Sequence, residues 1–158
     1  MKGNLKKYAA GILLPLAVGG LSAWLSGGGK DFYESVNVPP FSPPAWLFPI
    51  AWGILYLLMG ISSVWVLSHK EANEAAAYTG LSLYGASLVV NFFYSIFLFR
   101  FRLFFFTVLW IFLLLALIFA YTRKYARVYR PAAYLQIPYL LWTLFASYLT
   151  VALYLLNR

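Results

Sequence analysis

The sequence predicts an all-α integral membrane protein, a bundle of five transmembrane helices. Three observations carry that prediction. The chain is 63% hydrophobic and only 10% charged, well short of the roughly 25% charge that covers a water-facing domain. Its charges cut it into five uncharged runs, 8–29, 35–68, 75–99, 103–122 and 131–157. Each run holds the roughly 20 apolar residues that a helix needs to cross a ~30 Å hydrocarbon core. Barrel strands would alternate in polarity, whereas "LLLALIFA" at 113–120 does not. The chain therefore reads as one transmembrane domain over 1–158, with spans at about 6–27, 44–67, 76–99, 103–123 and 131–155.

The first span follows Lys2, Lys6 and Lys7. Those lysines and "LSA" at 21–23 resemble a cleavable leader. The length of the run, and Trp24 near its end, favour a retained helix. The loop after it, about 27–42, opens with the flexible "GGGK". Within it, "DFYESV" at 31–36 predicts one amphipathic turn lying over the helix ends. The second span begins in "FSPPAWLFPIAW", 41–52. Its helix is expected to start near Pro43 or Pro44 with Ser42 as N-cap, because proline is tolerated in a first turn. Pro49, and Pro138 in the fifth span, each remove an N–H and clash with the carbonyl four residues back, which predicts kinks. Between the third and fourth spans "RFR", 100–102, leaves almost no loop, so these helices must be tight antiparallel neighbours.

Small residues at four-residue spacing let helices approach closely. The first span has Gly11, Pro15 and Gly19. The third has Ala76 with Gly80 and Ser82 with Ala86, which make it the candidate homodimer face.

The formal charge is +8. In a membrane protein this reflects cations flanking spans rather than a nucleic-acid partner. Five spans put Lys2, Lys6, Lys7, Lys70, Arg123, Lys124, Arg127 and Arg130 on one side, and Lys30, Arg100, Arg102 and Arg158 on the other. Cations favour the cytoplasm, so the amino terminus is expected inside and the carboxyl terminus outside. There is no cysteine and a single histidine, His69, so disulfides, thiolate chemistry and a protein-ligated metal site are not expected.

Away from their ends the spans carry no Asp, Glu, Lys or Arg, which counts against a proton pump or an ion-coupled carrier. Asn91 and Gln136 are the most polar residues inside. Asn91 reads either as interhelical glue or as a ligand contact. Trp24, Trp65 and Trp110 read as belt or packing residues, and Trp46 as an interface anchor. Trp52 and Tyr56 share a face of the second span, and Pro138, Trp142, Ala146 and Leu149 form a stripe on the fifth. At about 1.5 Å per residue, Trp52 lies ~10 Å, Asn91 ~12 Å, and Ala146 and Trp142 ~10–16 Å below the outer helix ends. Antiparallel helices thus bring these residues to one level. Convergent aromatics with few polar groups describe either bundle packing or a pocket for a flat apolar ligand. Lys30, Arg100 and Arg102 would then ring its mouth, as loop charges or as partners of ligand carboxylates.

Three stretches, in order, resemble one family. They are "FYESVNVPPFSPPAWLFPIAWGILYLLMG" at 32–60, "NFFYSIFLF" at 91–99 and "PYLLWTLFASYL" at 138–149. Together they resemble the signature of the tryptophan-rich sensory protein/translocator protein family, also called the peripheral benzodiazepine receptor family, in a bacterial-type member. The resemblance implies a five-helix bundle in the bacterial cell membrane, often dimeric. It implies a pocket under the first loop for porphyrins, sterols and isoquinoline or benzodiazepine ligands. By matching position, Trp52, Asn91, Trp142, Ala146 and Leu149 belong to that pocket, with Tyr56 close by. The chain departs from the family at Phe41 and Tyr94, where Trp is usual, and at Thr150, where Asn is usual. Val151 stands where the family's sterol motif places Tyr, which counts against sterol recognition even though "VALYLLNR" keeps its loose form.

Three functions follow. The first is tetrapyrrole binding, linked to tetrapyrrole handling or a stress response. With no His or Cys in a span to hold haem iron, a metal-free porphyrin held by stacking fits best, as a ligand and not a cofactor. The second is light- and oxygen-dependent porphyrin breakdown, implied by the resemblance, with Trp52 and Trp142 as its candidates. No acid/base or nucleophile constellation supports conventional catalysis. The third is small-molecule transport, which lacks a visible repeat of broken helices.

Overall fold

The computed structural model describes Lys2–Arg158, and side chains from Gly3 onward, so the Lys2 side chain invoked in the charge count lies outside the described residues. It is all-α, with no strand among the described residues and five helical segments long and apolar enough to cross a membrane. The helices are α1 (Lys2–Leu25), α2 (Lys30–Ser35), α3 (Leu47–Ser68), α4 (Glu74–Ser95), α5 (Phe104–Val128), α6 (Arg130–Tyr134) and α7 (Ile137–Leu156). Helices α1, α3, α4 and α5, and the α6–α7 pair, supply the five spans. They close in the spatial order α1, α3, α6–α7, α5, α4, and α4 returns to α1.

Large apolar side chains face both inward and outward. Met59, Ile111, Leu114 and Ile118 are fully buried, while Leu57, Val89, Leu109, Phe112 and Leu144 are exposed on the perimeter. A helix apolar all round is what a lipid solvent selects. Backbone proximity fixes α1 on α3: a Cβ on Gly60 would sit 2.6 Å from the Gly11 carbonyl oxygen. Gly11 and Gly19 of the first span's small-residue row are therefore used within the chain, Gly19 against the Tyr56 ring.

Several expectations shift. Helix α3 starts at Leu47, not at Pro43 or Pro44. Ser42 caps no helix; its hydroxyl donates to the Pro39 carbonyl at 2.7 Å and folds the loop on itself. Pro49 then falls in the first turn of α3, where an N–H has no intrahelical partner, so the reason for a kink disappears. Pro138 does more than kink the fifth span. Its ring would meet the carbonyl of Tyr134, and the helix ends at Tyr134 and restarts at Ile137. The fourth span continues past Arg123 to Val128, because a cation marks the membrane edge and not the helix end. The α4–α5 pair is joined across Phe101–Leu103 as expected, through a widened last turn (Phe101 N–H to the Ile96 carbonyl, 3.1 Å) and a left-handed Arg102 (φ 52°).

The candidate dimer face divides. Ala76 is buried, and a Cβ on Gly80 would lie 2.9 Å from Tyr125 of α5, so this pair serves packing inside the chain. Only Ser82 and Ala86 stay exposed. The reason is angular: Ala76 and Gly80 lie on the face of α4 turned to α5.

Candidate functional site

A cavity of about 690 Å³ opens under the first loop, between α1, α3 and α7. Its wall is aromatic because α3 carries Phe48, Trp52 and Tyr56 at four-residue spacing and α7 answers with Trp142. Trp52 meets Trp142 edge to face (6.5 Å between ring centroids), stacks on Tyr56 (5.5 Å) and touches the Tyr139 ring edge-on (6.1 Å). Phe48 abuts Trp142 at 6.0 Å. Ala146, Leu149 and Leu153 continue the α7 wall, and Gly19 and Gly20 of α1 face them without side chains to fill the space.

Helix α2 is the lid. Phe32 is buried, edge-on to Phe99 at 5.0 Å and under the Arg102 guanidinium at 5.8 Å. Tyr33 stacks on Phe48 at 5.9 Å, and burial pushes its phenol up to about 12, so it stays neutral at physiological pH. The lid's amino-terminal tether contains Gly27 (φ 84°) and Gly28 (φ 76°), left-handed positions that suit glycine. Its far end is tied down. The Asn37 N–H donates to Asn157 Oδ1 at 2.8 Å and Asn157 Nδ2 donates back to the Asn37 carbonyl at 3.0 Å. Tyr148 donates to the Pro40 carbonyl at 3.0 Å.

Of the six residues singled out from sequence, Trp52, Tyr56, Trp142, Ala146 and Leu149 line the cavity, and Asn91 does not. Asn91 is buried one turn along α4 from the lining residues Tyr94 and Ser95, and its amide donates to the Tyr139 hydroxyl at 2.8 Å. Depth alone set it at the right level; its partner on α7 takes it out of the lining. Gln136, the other polar candidate, accepts from Tyr121 at 2.8 Å at the α6–α7 break, well outside the lining. The three cations also separate. Lys30 lines the cavity, whereas Arg100 donates to the Leu25 carbonyl and Arg102 to the Ser35 hydroxyl, each at 2.9 Å. Trp46 is mostly exposed yet reaches the lining, and Trp110 packs inward, its indole N–H on the Val90 carbonyl at 2.7 Å.

Sequence reasoning missed Tyr33, Phe48, Phe99 and Tyr94. Phe48 was legible as one more turn of the Trp52–Tyr56 face. Tyr33 and Phe99 had no such signal, since only the folded lid brings them to the cavity. Tyr94 shares a 2.7 Å hydrogen bond with Thr150. Two departures from the usual pattern are thus partners, closing the wall between α4 and α7.

Chemically, the site offers flat rings, apolar walls and one ammonium at the mouth. Its volume lies within the roughly 300–1,000 Å³ typical of small-molecule sites. Among the described residues no three His, Cys, Asp or Glu side chains gather to hold a metal.

The sequence is similar to known proteins. The model of the TspO/MBR family matches residues 11–155. The chain is 35% identical over 132 residues to the tryptophan-rich protein TspO of Chlorobaculum tepidum, covering 80% of this chain and 79% of that one. It is 32% identical over 160 residues to the tryptophan-rich protein TspO of Archaeoglobus fulgidus, covering 98% and 99%. It is 31% identical over 147 residues to the translocator protein of Bos taurus, covering 92% and 87%.

Proposed function

Since the chain belongs to the TspO/MBR family, we propose that it binds a flat tetrapyrrole, a metal-free porphyrin, in the cavity beneath the first loop. The observation that carries this is the aromatic wall: Trp52, Tyr56 and Trp142 beside a cavity of about 690 Å³. A macrocycle slid along that wall gains ring contacts worth about 0.5–1.5 kcal/mol each beyond its buried area. Lys30 at the mouth complements a propionate. Aromatic isoquinoline or benzodiazepine compounds suit the same wall. The chain acts as one transmembrane domain over 1–158 in a bacterial cell membrane, amino terminus inside, and pairs as a homodimer through the Ser82–Ala86 stripe.

The inner half of the bundle supports binding over conduction. Tyr121, Tyr125, Tyr139 and Gln136 are fully buried there, so the cavity ends in packed protein. Porphyrin breakdown under light and oxygen is the second reading, favoured by two oxidisable indoles, Trp52 and Trp142, in the wall. Titration with protoporphyrin, read by tryptophan quenching, tests binding. Unchanged affinity in Trp142→Ala would remove the proposed pocket. Illuminating the complex tests breakdown: bleaching no faster than free porphyrin in detergent leaves binding alone.

A further inference from the structure

At the opposite, lysine-bearing end of the bundle, α1, α3 and α4 leave a second groove of about 410 Å³. Lys7, Gly11 and Leu14 of α1 and Leu81, Gly85 and Leu88 of α4 form its two long walls. The i, i+4, i+7 spacing on both helices makes each wall a single helical face, so the groove runs along the helices. From Lys7 to Leu14 it extends about 10 Å. Its back is closed where α1 and α3 touch backbone to backbone at Gly11 and Gly60. Its front is open: a Cβ on Gly85 would meet nothing within 4 Å, and Leu14 is exposed.

We infer that this groove holds one acyl chain of an anionic phospholipid, with the Lys7 ammonium on its phosphate. A perimeter groove in a bilayer is filled by a lipid tail or by protein. A cation at one end of an apolar groove complements the headgroup and the tail of an anionic lipid together, which an apolar helix of a second copy does not. The walls are apolar along the tail, and the only charged lining residue, Lys7, stands at the end where a headgroup lies. The site shares no lining residue with the porphyrin cavity, and does not depend on it.

Native mass spectrometry of the full chain in mild detergent, supplemented with phosphatidylglycerol or with phosphatidylcholine of matched acyl chains, tests this. The wild type is expected to retain one phosphatidylglycerol per chain in preference to phosphatidylcholine. Lys7→Gln, a change at an exposed position, should lower that preference by about fivefold, the effect of one lysine near an anionic headgroup. Gly85→Leu, whose side chain enters open space, should abolish retention of both lipids. Equal retention of the two lipids by the wild type overturns the proposal, as does phosphatidylglycerol retention unchanged in both variants. So does a Gly85→Leu protein that turns from dimer to monomer with its lipid retained, since that gives the face to a second copy.

Discussion

Trp52 and Trp142 show how little a single residue needs to be placed. Each sits on a regular helix, one turn from another aromatic or small residue, and the two rings meet at 6.5 Å. Replacing either by Ala removes one face for a stacked ring, and porphyrin affinity should fall roughly two- to tenfold. Asn91→Ala should act differently. It frees the Tyr139 hydroxyl but removes no lining side chain, so thermal stability in detergent should drop by about 1–3 kcal/mol while affinity changes less than in Trp142→Ala. Equal losses of affinity in the two variants would restore Asn91 to the site. Lys30→Gln should weaken a porphyrin with free propionates and leave its dimethyl ester unaffected, measured by the same quenching titration.

At the scale of elements, α2 covers the cavity. Phe32 wedges it down, the Asn37–Asn157 exchange anchors one end, and the glycine tether frees the other. Phe32→Ala should speed ligand release, read by stopped-flow dilution, because the aromatic wedge is lost while the anchor stays. Protonation sets the pH limits of the lid. Tyr33 has its phenol raised from 10.0 to about 12, so the folded lid holds that proton more tightly than the open chain. Its contribution is complete below pH 10 and is lost as pH rises toward 12. Release rates should therefore be flat from pH 6 to about 9 and rise above pH 10. Proline shapes the elements themselves. Pro49 initiates α3 within its first turn, and Pro138 divides the last span, presenting Gln136 to Tyr121 at the break.

For the whole molecule, the ring of five spans rests on close backbone contacts and a mainly apolar core crossed by a few side-chain hydrogen bonds. Gly60→Ala forces a methyl into the Gly11 backbone, an overpacking expected to remove about 1–3 kcal/mol of stability. Melting followed by circular dichroism in detergent checks it, and an unchanged midpoint would show that α1 yields freely. The absence of cysteine allows a direct orientation test. Single cysteines at Asn4 and Arg158 should label from opposite sides of intact cells, Asn4 only after permeabilisation.

Much of this was legible in the chain before folding. Fold class, five spans and the tight α4–α5 turn follow from hydropathy and charge spacing, because lipid imposes length and internal hydrogen bonding on any helix that crosses it. Helical periodicity and depth, which are one-dimensional quantities, set the shared faces and level of these residues; the resemblance assigned them to a pocket, and five of the six line the cavity. What periodicity lacks is the rotation of each helix about its own axis. Only tertiary packing turned Asn91 to Tyr139, folded Ala76 and Gly80 against α5, tied Arg100 and Arg102 to the chain while leaving Lys30 at the mouth, and laid Tyr33 and Phe99 over the cavity. Those outcomes depend on which side chains meet across helices far apart in sequence, and burial is shared only once all five have closed.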